Sequence, residues 1–195
     1  HLYTKLTLDE SVELVPFKRS FFDNTSALEK FVVQCDTIVH LAAMNRHEDA
    51  NVIYETNLKL VDNVIKACEK TNATPHIIFS SSSQEVRDNL YGQSKKEGKE
   101  KFISWSEKTG GKFSSLTIPN VFGPFGKPNY NSVVATFCHK VAQGEEPTII
   151  QDSEVGLIYV NELVQVFIDT VKGNVQDKKI GKNSFEVHIE PTSKN

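Results

Sequence analysis

The stretch Ile77-Ile78-Phe79-Ser80-Ser81-Ser82-Ser83, followed closely by Tyr91-Gly92-Gln93-Ser94-Lys95, decides how the rest of this 195-residue chain is read. Three consecutive apolar residues predict a strand covered on both faces, as parallel sheets require. The serines then emerge at its carboxyl end, where open α/β sheets bind their ligands. Tyr91 and Lys95 are four apart, which places phenol and ammonium on one face of the helix that the second stretch opens. An ammonium beside a phenol favours the phenolate and lowers its pKa, making a proton donor or acceptor usable near neutrality. A serine hydroxyl nearby can hydrogen-bond a carbonyl. Together these are parts for hydride chemistry at a carbinol or ketone; the plainer reading is a solvated helix face behind a serine-rich turn.

Outward from this stretch, strand and helix patterns alternate, which predicts an α/β doubly wound parallel sheet. Residues 12–17 read as a short strand. Ser26-x-x-Glu29 has the capping-box pattern for a helix running to about Gln34. Residues 37–41 are a second apolar strand interrupted only by His40, and Leu58, Val61, Val64, Ile65 and Cys68 stripe a helix over 54–69. The helix from Tyr91 should pass through Phe102, Ile103 and Trp105 and stop at Gly110-Gly111. Strands are expected at 113–118, 147–150, 157–160 and 185–189, and helices at 133–142 and from an Asn161 cap to Val171.

Composition narrows the function classes. A net charge of −3 and a pI near 6.1 give no general basic surface, so nucleic acid and anionic membrane are not the default partners. A mean hydropathy of −0.34 and the lack of a long apolar run argue against a membrane span. Three widely spaced cysteines in apolar patterns are expected to be reduced core thiols in a cytoplasmic protein. The six histidines show no helical ligand pair and there is no CxxC, so no metal is expected.

Tyr91-x-x-x-Lys95 behind the serine run resembles the extended short-chain dehydrogenase/reductases, the NAD(P)-dependent epimerase/dehydratase family acting on nucleotide sugars. Val39-His40-Leu41-Ala42-Ala43-Met44-Asn45-Arg46, and the long run from Lys127-Pro128-Asn129-Tyr130-Asn131-Ser132 to Cys138, are similar to the reductase domain of bifunctional capsular-polysaccharide enzymes. The resemblance implies a Rossmann-like domain with a small partial substrate lobe. It implies catalytic roles for Ser82, Tyr91 and Lys95, with Ser82 chosen as the third serine and Ser81 and Ser83 left open. Cofactor contacts are implied for Leu41, Ala42, Ala43, Asn57, Ser80, Tyr91, Lys95 and Pro119, and substrate contacts for Ser82, Asn120, Lys127, Asn129 and Asn131. Thr117 and Ile118 stand where many members carry an arginine ahead of that Asn120.

In a dinucleotide fold the end of the second strand meets the adenine ribose, and a basic group there accommodates a 2′-phosphate. Lys18 and Arg19 occupy that place, so NADP(H) is expected over NAD(H). The family's opening strand and Gly-x-x-Gly-x-x-Gly turn have no counterpart, and residues 1–6 look like the remainder of the helix that follows such a turn. The chain is therefore expected to be one domain over 1–195, lacking its first strand and phosphate loop, with a metal-dependent cupin domain expected beyond it by the same resemblance. The leading expectation is NADPH-dependent reduction of the C4 ketone of a UDP-linked 6-deoxy amino hexulose in capsule or O-antigen precursor synthesis, by a homodimer. The alternatives are an NAD-dependent 4-epimerase or dehydratase, and a non-catalytic nucleotide-binding or interaction module. Ser83-Gln84 replaces the Asp-Glu pair of dehydratases, with Glu85 close but displaced.

Overall fold

The computed structural model describes residues 1–149, 153–175 and 178–194. Its centre is the strand of the opening stretch. The order along the chain is α1 (Leu2–Thr7), α2 (Thr25–Val32), β1 (Thr37–His40), α3 (Ala50–Thr71), β2 (His76–Ser82), α4 (Leu90–Thr109) and β3 (Phe113–Ile118). Then follow β4 (Asn120–Phe122), α5 (Val133–Ala142), β5 (Gly156–Tyr159), α6 (Val160–Val171), β6 (Lys178–Lys179), β7 (Ser184–Val187) and β8 (Ser193–Lys194). The main sheet runs β1-β2-β3-β7-β6, parallel except for the β6 edge. A small second sheet, β4-β5-β8, pairs β4 and β5 in parallel and β8 antiparallel.

Successive strand residues point to opposite faces. Ile77 and Phe79 therefore enter a core with Val61, Val64, Cys68, Phe102 and Trp105 from α3 and α4. Ile78 enters the opposite core with Leu116, Ile158, Leu163, Phe167 and Val187. Ile77, Ile78 and Phe79 are all essentially inaccessible, as a strand covered on both faces must be. The helix carrying Tyr91 starts where the Asn89 side chain accepts a hydrogen bond from Gly92 N and ends at Gly110, whose φ of 80° is the left-handed stop expected of that pair of glycines.

Several expectations are corrected. Residues 12–17 form no strand: no neighbouring strand offers them a hydrogen-bonded ladder, and Pro16 has no N–H to contribute. A cavity of about 730 Å³ lies between this segment and the open edge of β1, lined by Val12, Leu14 and Phe17 on one side and by Thr37 to Ala42 on the other. The cap of α2 is Asn24, whose side chain accepts from Ala27 N, so the Ser26-x-x-Glu29 box is not formed. Asn161 lies within the first turn of α6, whose cap position is Tyr159 with no side-chain bond. The strand expected at 147–150 is not formed over 147–149, and Ile150 lies outside the described residues.

Candidate active site

The carboxyl ends of β1 and β2, the start of α4 and the two loops that face them supply the residues singled out in the sequence. Ser82, the last residue of β2, is buried; its hydroxyl accepts from Gln84 N at 3.2 Å, starting a short 3₁₀ turn over Ser83–Val86. The same hydroxyl faces the Tyr91 phenol closely enough to influence its titration. The turn and the helix meet closely, because a Cβ on Gly92 would stand 2.1 Å from the Gln84 carbonyl oxygen. Only glycine lets α4 begin against this turn.

Lys95, one helical turn beyond Tyr91, is 3% exposed and donates from Nζ to the Ser80 carbonyl at 2.8 Å. Its ammonium lies 4.8 Å from the Phe79 ring centroid and 5.9 Å from that of Tyr91, within cation–π range. Burial lowers the Lys95 pKa to about 8, opposed by the negative charge of Glu85. The phenol moves the other way from the sequence-based expectation. Burial raises the Tyr91 pKa, the Ser82 hydroxyl offsets that only in part, and the ammonium is turned toward the Ser80 carbonyl. Tyr91 is therefore held as a protonated phenol.

Beneath the site, Asn57 is buried in α3. Its Oδ1 accepts from Met44 N at 2.7 Å, and its Nδ2 donates to Met44 O and to Ser94 Oγ, both at 3.0 Å. Ser94 Oγ donates in turn to Tyr91 O at 2.7 Å. This side chain therefore ties the loop after β1 to the first turn of α4. Ser80 Oγ donates to His40 O at 3.2 Å, joining the ends of β1 and β2. On the far side of β2, Ser81 bonds Glu85, Lys99 bonds Glu85 and also Glu186 at 3.1 Å, and Thr117 donates to Glu186 at 3.3 Å. Burial holds the Glu85 carboxyl above its ordinary range, opposed by its bond to Lys99. Of this network, scattered over five elements, only Glu85 stood out in the sequence, because no local pattern joins residues so far apart along the chain.

The remaining candidates fall into two groups. Leu41, Ala42 and Ala43 follow β1; Leu41 and Ala42 line the 730 Å³ cavity, as does Phe17, while Lys18 and Arg19 come next as exposed residues opening a 3₁₀ turn over Arg19–Asp23. Because 12–17 is not a strand, this pair does not sit at a strand end as expected. Pro119 links β3 to β4 and is half-buried, while Asn120 is exposed on β4. Lys127, Asn129 and Asn131 stand in the loop before α5: Asn129 and Asn131 line a second cavity, and Lys127 lies 5.2 Å from the Tyr130 ring centroid. The residues gathered around Ser82, Tyr91 and Lys95 suit the nicotinamide end of a dinucleotide. Among the described residues no glycine-rich turn opens onto the cavity beside β1, since the first glycine of the chain is Gly92. No group of three or more His, Cys, Asp or Glu capable of holding a metal exists among the described residues, and no helix there is long and apolar enough to cross a membrane.

A mostly parallel, helix-flanked sheet with a Ser-Tyr-Lys cluster at the carboxyl end of a central strand defines a Rossmann-like short-chain dehydrogenase/reductase site. The family described as "NAD dependent epimerase/dehydratase family" matches residues 4–180, and the chain belongs to it. It is 31% identical over 182 residues to a UDP-2-acetamido-2,6-beta-L-arabino-hexul-4-ose reductase of Pseudomonas aeruginosa, covering 92% of this chain and 46% of that protein. It is 32% identical, with a TM-score of 0.73, to the capsular polysaccharide assembling protein CapF of Staphylococcus aureus, covering 94% of this chain and 49% of that one. A UDP-N-acetylglucosamine 4-epimerase from Bacillus cereus, 19% identical with a TM-score of 0.77 over 99% of this chain and 72% of its own, shares the fold. The chain thus spans about half the length of the reductase and of CapF.

Proposed function

We propose that this chain is the catalytic unit of an NADPH-dependent reductase acting on the C4 ketone of a UDP-linked 6-deoxy amino hexulose, in the synthesis of capsule or O-antigen precursors. The observation that carries the reading is the meeting of Ser82 with Tyr91, one helical turn from the buried Lys95, at the end of β2. The likeness to a hexulose reductase supports the substrate class.

A bound nicotinamide supplies the hydride. The Ser82 hydroxyl orients the ketone oxygen, and Tyr91 donates its proton to that oxygen as it becomes an alcohol. A phenol kept protonated by burial suits this direction, since reduction consumes a proton at each turnover. Lys95 holds the cofactor's ribose and keeps a positive charge beside the phenolate left behind. Lys18 and Arg19 serve an adenosine 2′-phosphate, which favours NADP(H). Dehydration fits less well: Glu85, the nearest candidate acid, is already bonded to Ser81 and Lys99.

The test uses the protein encoded by the complete gene. With Tyr91→Phe, ketone-dependent NADPH consumption should fall at least ~10²-fold, the usual weight of a positioned acid, while NADPH binding persists. Wild-type turnover should consume one NADPH per ketosugar. Undiminished turnover in Tyr91→Phe, or sugar interconversion without net NADPH consumption, would refute the reading.

A further inference from the structure

Two loops meet away from the Ser-Tyr-Lys cluster, one following β1 and one preceding α5. Arg46 of the first donates from Nη1 to the carbonyl of Asn129 in the second at 3.3 Å, and its Cζ lies 5.3 Å from the Tyr130 ring centroid. Tyr130 donates its hydroxyl proton to Asn45 Oδ1 at 2.9 Å, and Lys127 Nζ stands 5.2 Å from the same ring. Asn129 is held in the left-handed region at φ 54°, its N–H bonded to Thr136 Oγ1 at 2.9 Å. A ring clamped by a hydroxyl bond thus gathers two cations, no farther apart than the two centroid distances laid end to end.

Beside this clamp lies a cavity of about 590 Å³, within the range of small-molecule sites. Arg46 and Lys140 line it together with asparagine, serine and threonine side chains, and none of the described lining residues is acidic. Among the described residues Arg46, Lys127 and Lys140 take part in no ion pair. Like charges that no described carboxylate pairs, in a chain whose net charge is −3, repel one another until an anion arrives. Arg46 uses one of its five N–H donors here, which leaves a planar fork that fits phosphate oxygens. The Tyr130 face, Val133 and Phe137 offer the flat and apolar wall that a base or sugar needs.

We propose that Arg46, supported by Tyr130, Lys127 and Lys140, is the diphosphate-recognising residue for the sugar nucleotide, which deepens the function proposed above and rests on it. The loop carrying Arg46 is joined to the catalytic helix through Met44, Asn57 and Ser94, so an anion bound at Arg46 fixes the loop that adjoins Tyr91. A diphosphate is also present in the dinucleotide cofactor, and separate titrations distinguish the two sources.

In the full-length protein, UDP, uridine and NADP⁺ are titrated calorimetrically into wild type, Arg46→Met, Arg46→Lys and Lys140→Met. Arg46→Met should weaken UDP binding about tenfold or more, the weight of a charge-assisted bidentate contact, while leaving uridine and NADP⁺ affinities unchanged. Arg46→Lys should recover part of the loss, because a point charge lacks the fork. Lys140→Met, which touches neither loop bond, should weaken UDP by a smaller factor. Unchanged UDP affinity in Arg46→Met overturns the proposal, as does weakened NADP⁺ binding with UDP unaffected, or a wild type that does not bind UDP. A wild type that binds UDP through Arg46 yet reduces no ketosugar would refute the reductase reading and leave the subsite standing.

Discussion

The two ends of the proposed site are built differently. The chemical end rests on β2, α4 and β3, where Phe79, Phe102 and Phe113 are at most 1% exposed and Lys95, 3% exposed, lies against the Phe79 ring. The recognition end rests on the loop before α5 and on α5 itself, a ten-residue helix with no buried residue, whose Val133 and Val141 are 46% and 64% exposed. Proton transfer needs reacting groups held within a fraction of an ångström, which packing supplies. Recognition of a long, charged ligand can be completed by contacts made when it binds. The difference assigns geometry to the first region and affinity to the second.

The largest expected effect tests the packing half of that contrast. Phe102 touches the rings of His40, Phe79 and Phe113 in one aromatic cluster at centroid distances of 5.5 to 5.7 Å. Phe102→Ala should therefore lower unfolding free energy by about 3–5 kcal/mol, whereas Phe137→Ala on α5 should lower it by about 1 kcal/mol or less. Urea denaturation of both variants measures this. Equal losses would remove the distinction between the two regions.

A second expectation concerns acid. His40 is fully buried beside those rings, and burial, aided by the charge of Lys95, lowers its pKa from 6.5 to about 3. Folding therefore favours the neutral imidazole. As pH falls below 6.5 the unfolded chain takes up a proton that the folded one refuses, so stability is lost progressively between 6.5 and 3. By pH 5 the loss from this group alone is about 2 kcal/mol. The urea midpoint of wild type, followed between pH 7 and 5, should fall more steeply than that of His40→Phe. Parallel slopes would show that His40 titrates freely and that the aromatic cluster admits water.

Most of the packed half was legible in the sequence because its signals are local. Ile77, Ile78 and Phe79 are consecutive, Tyr91 and Lys95 share a helical face, and Phe113 to Ile118 is one uninterrupted strand. The expected 12–17 strand failed for a non-local reason, since strand formation depends on a neighbour that no local pattern reports. The direction of the Tyr91 pKa was misread on similar grounds: spacing puts an ammonium near the phenol, but only the fold shows it engaged by the Ser80 carbonyl. The Arg46–Tyr130 clamp was partly visible, in that both residues stand within the two most distinctive motifs. Their meeting, across more than eighty residues of chain, was not. An arginine in the loop directly after a strand end was the one signal that could have drawn attention to it.

The smallest effects separate the two regions most cleanly, because they compare the same device in each. Asn89 caps α4 by accepting from Gly92 N at 2.7 Å, and Ser132 caps α5 by accepting from Ala135 N at 3.2 Å. Removing either cap with alanine frees one amide at a helix start and should cost about 1 kcal/mol of stability. The functional consequences should differ. Tyr91 lies two residues after Asn89, in the first turn of its helix, so Asn89→Ala loosens the proton donor and should lower kcat with KM for the ketosugar little changed. Ser132 follows the loop of Lys127, Asn129 and Asn131, so Ser132→Ala should raise KM several-fold and leave kcat near wild type. Steady-state kinetics of the two variants in the full-length protein read this split directly. If both variants lower kcat alike, the loop before α5 takes part in holding the reacting atoms, and the division between a rigid chemical end and an adaptable recognition end is lost.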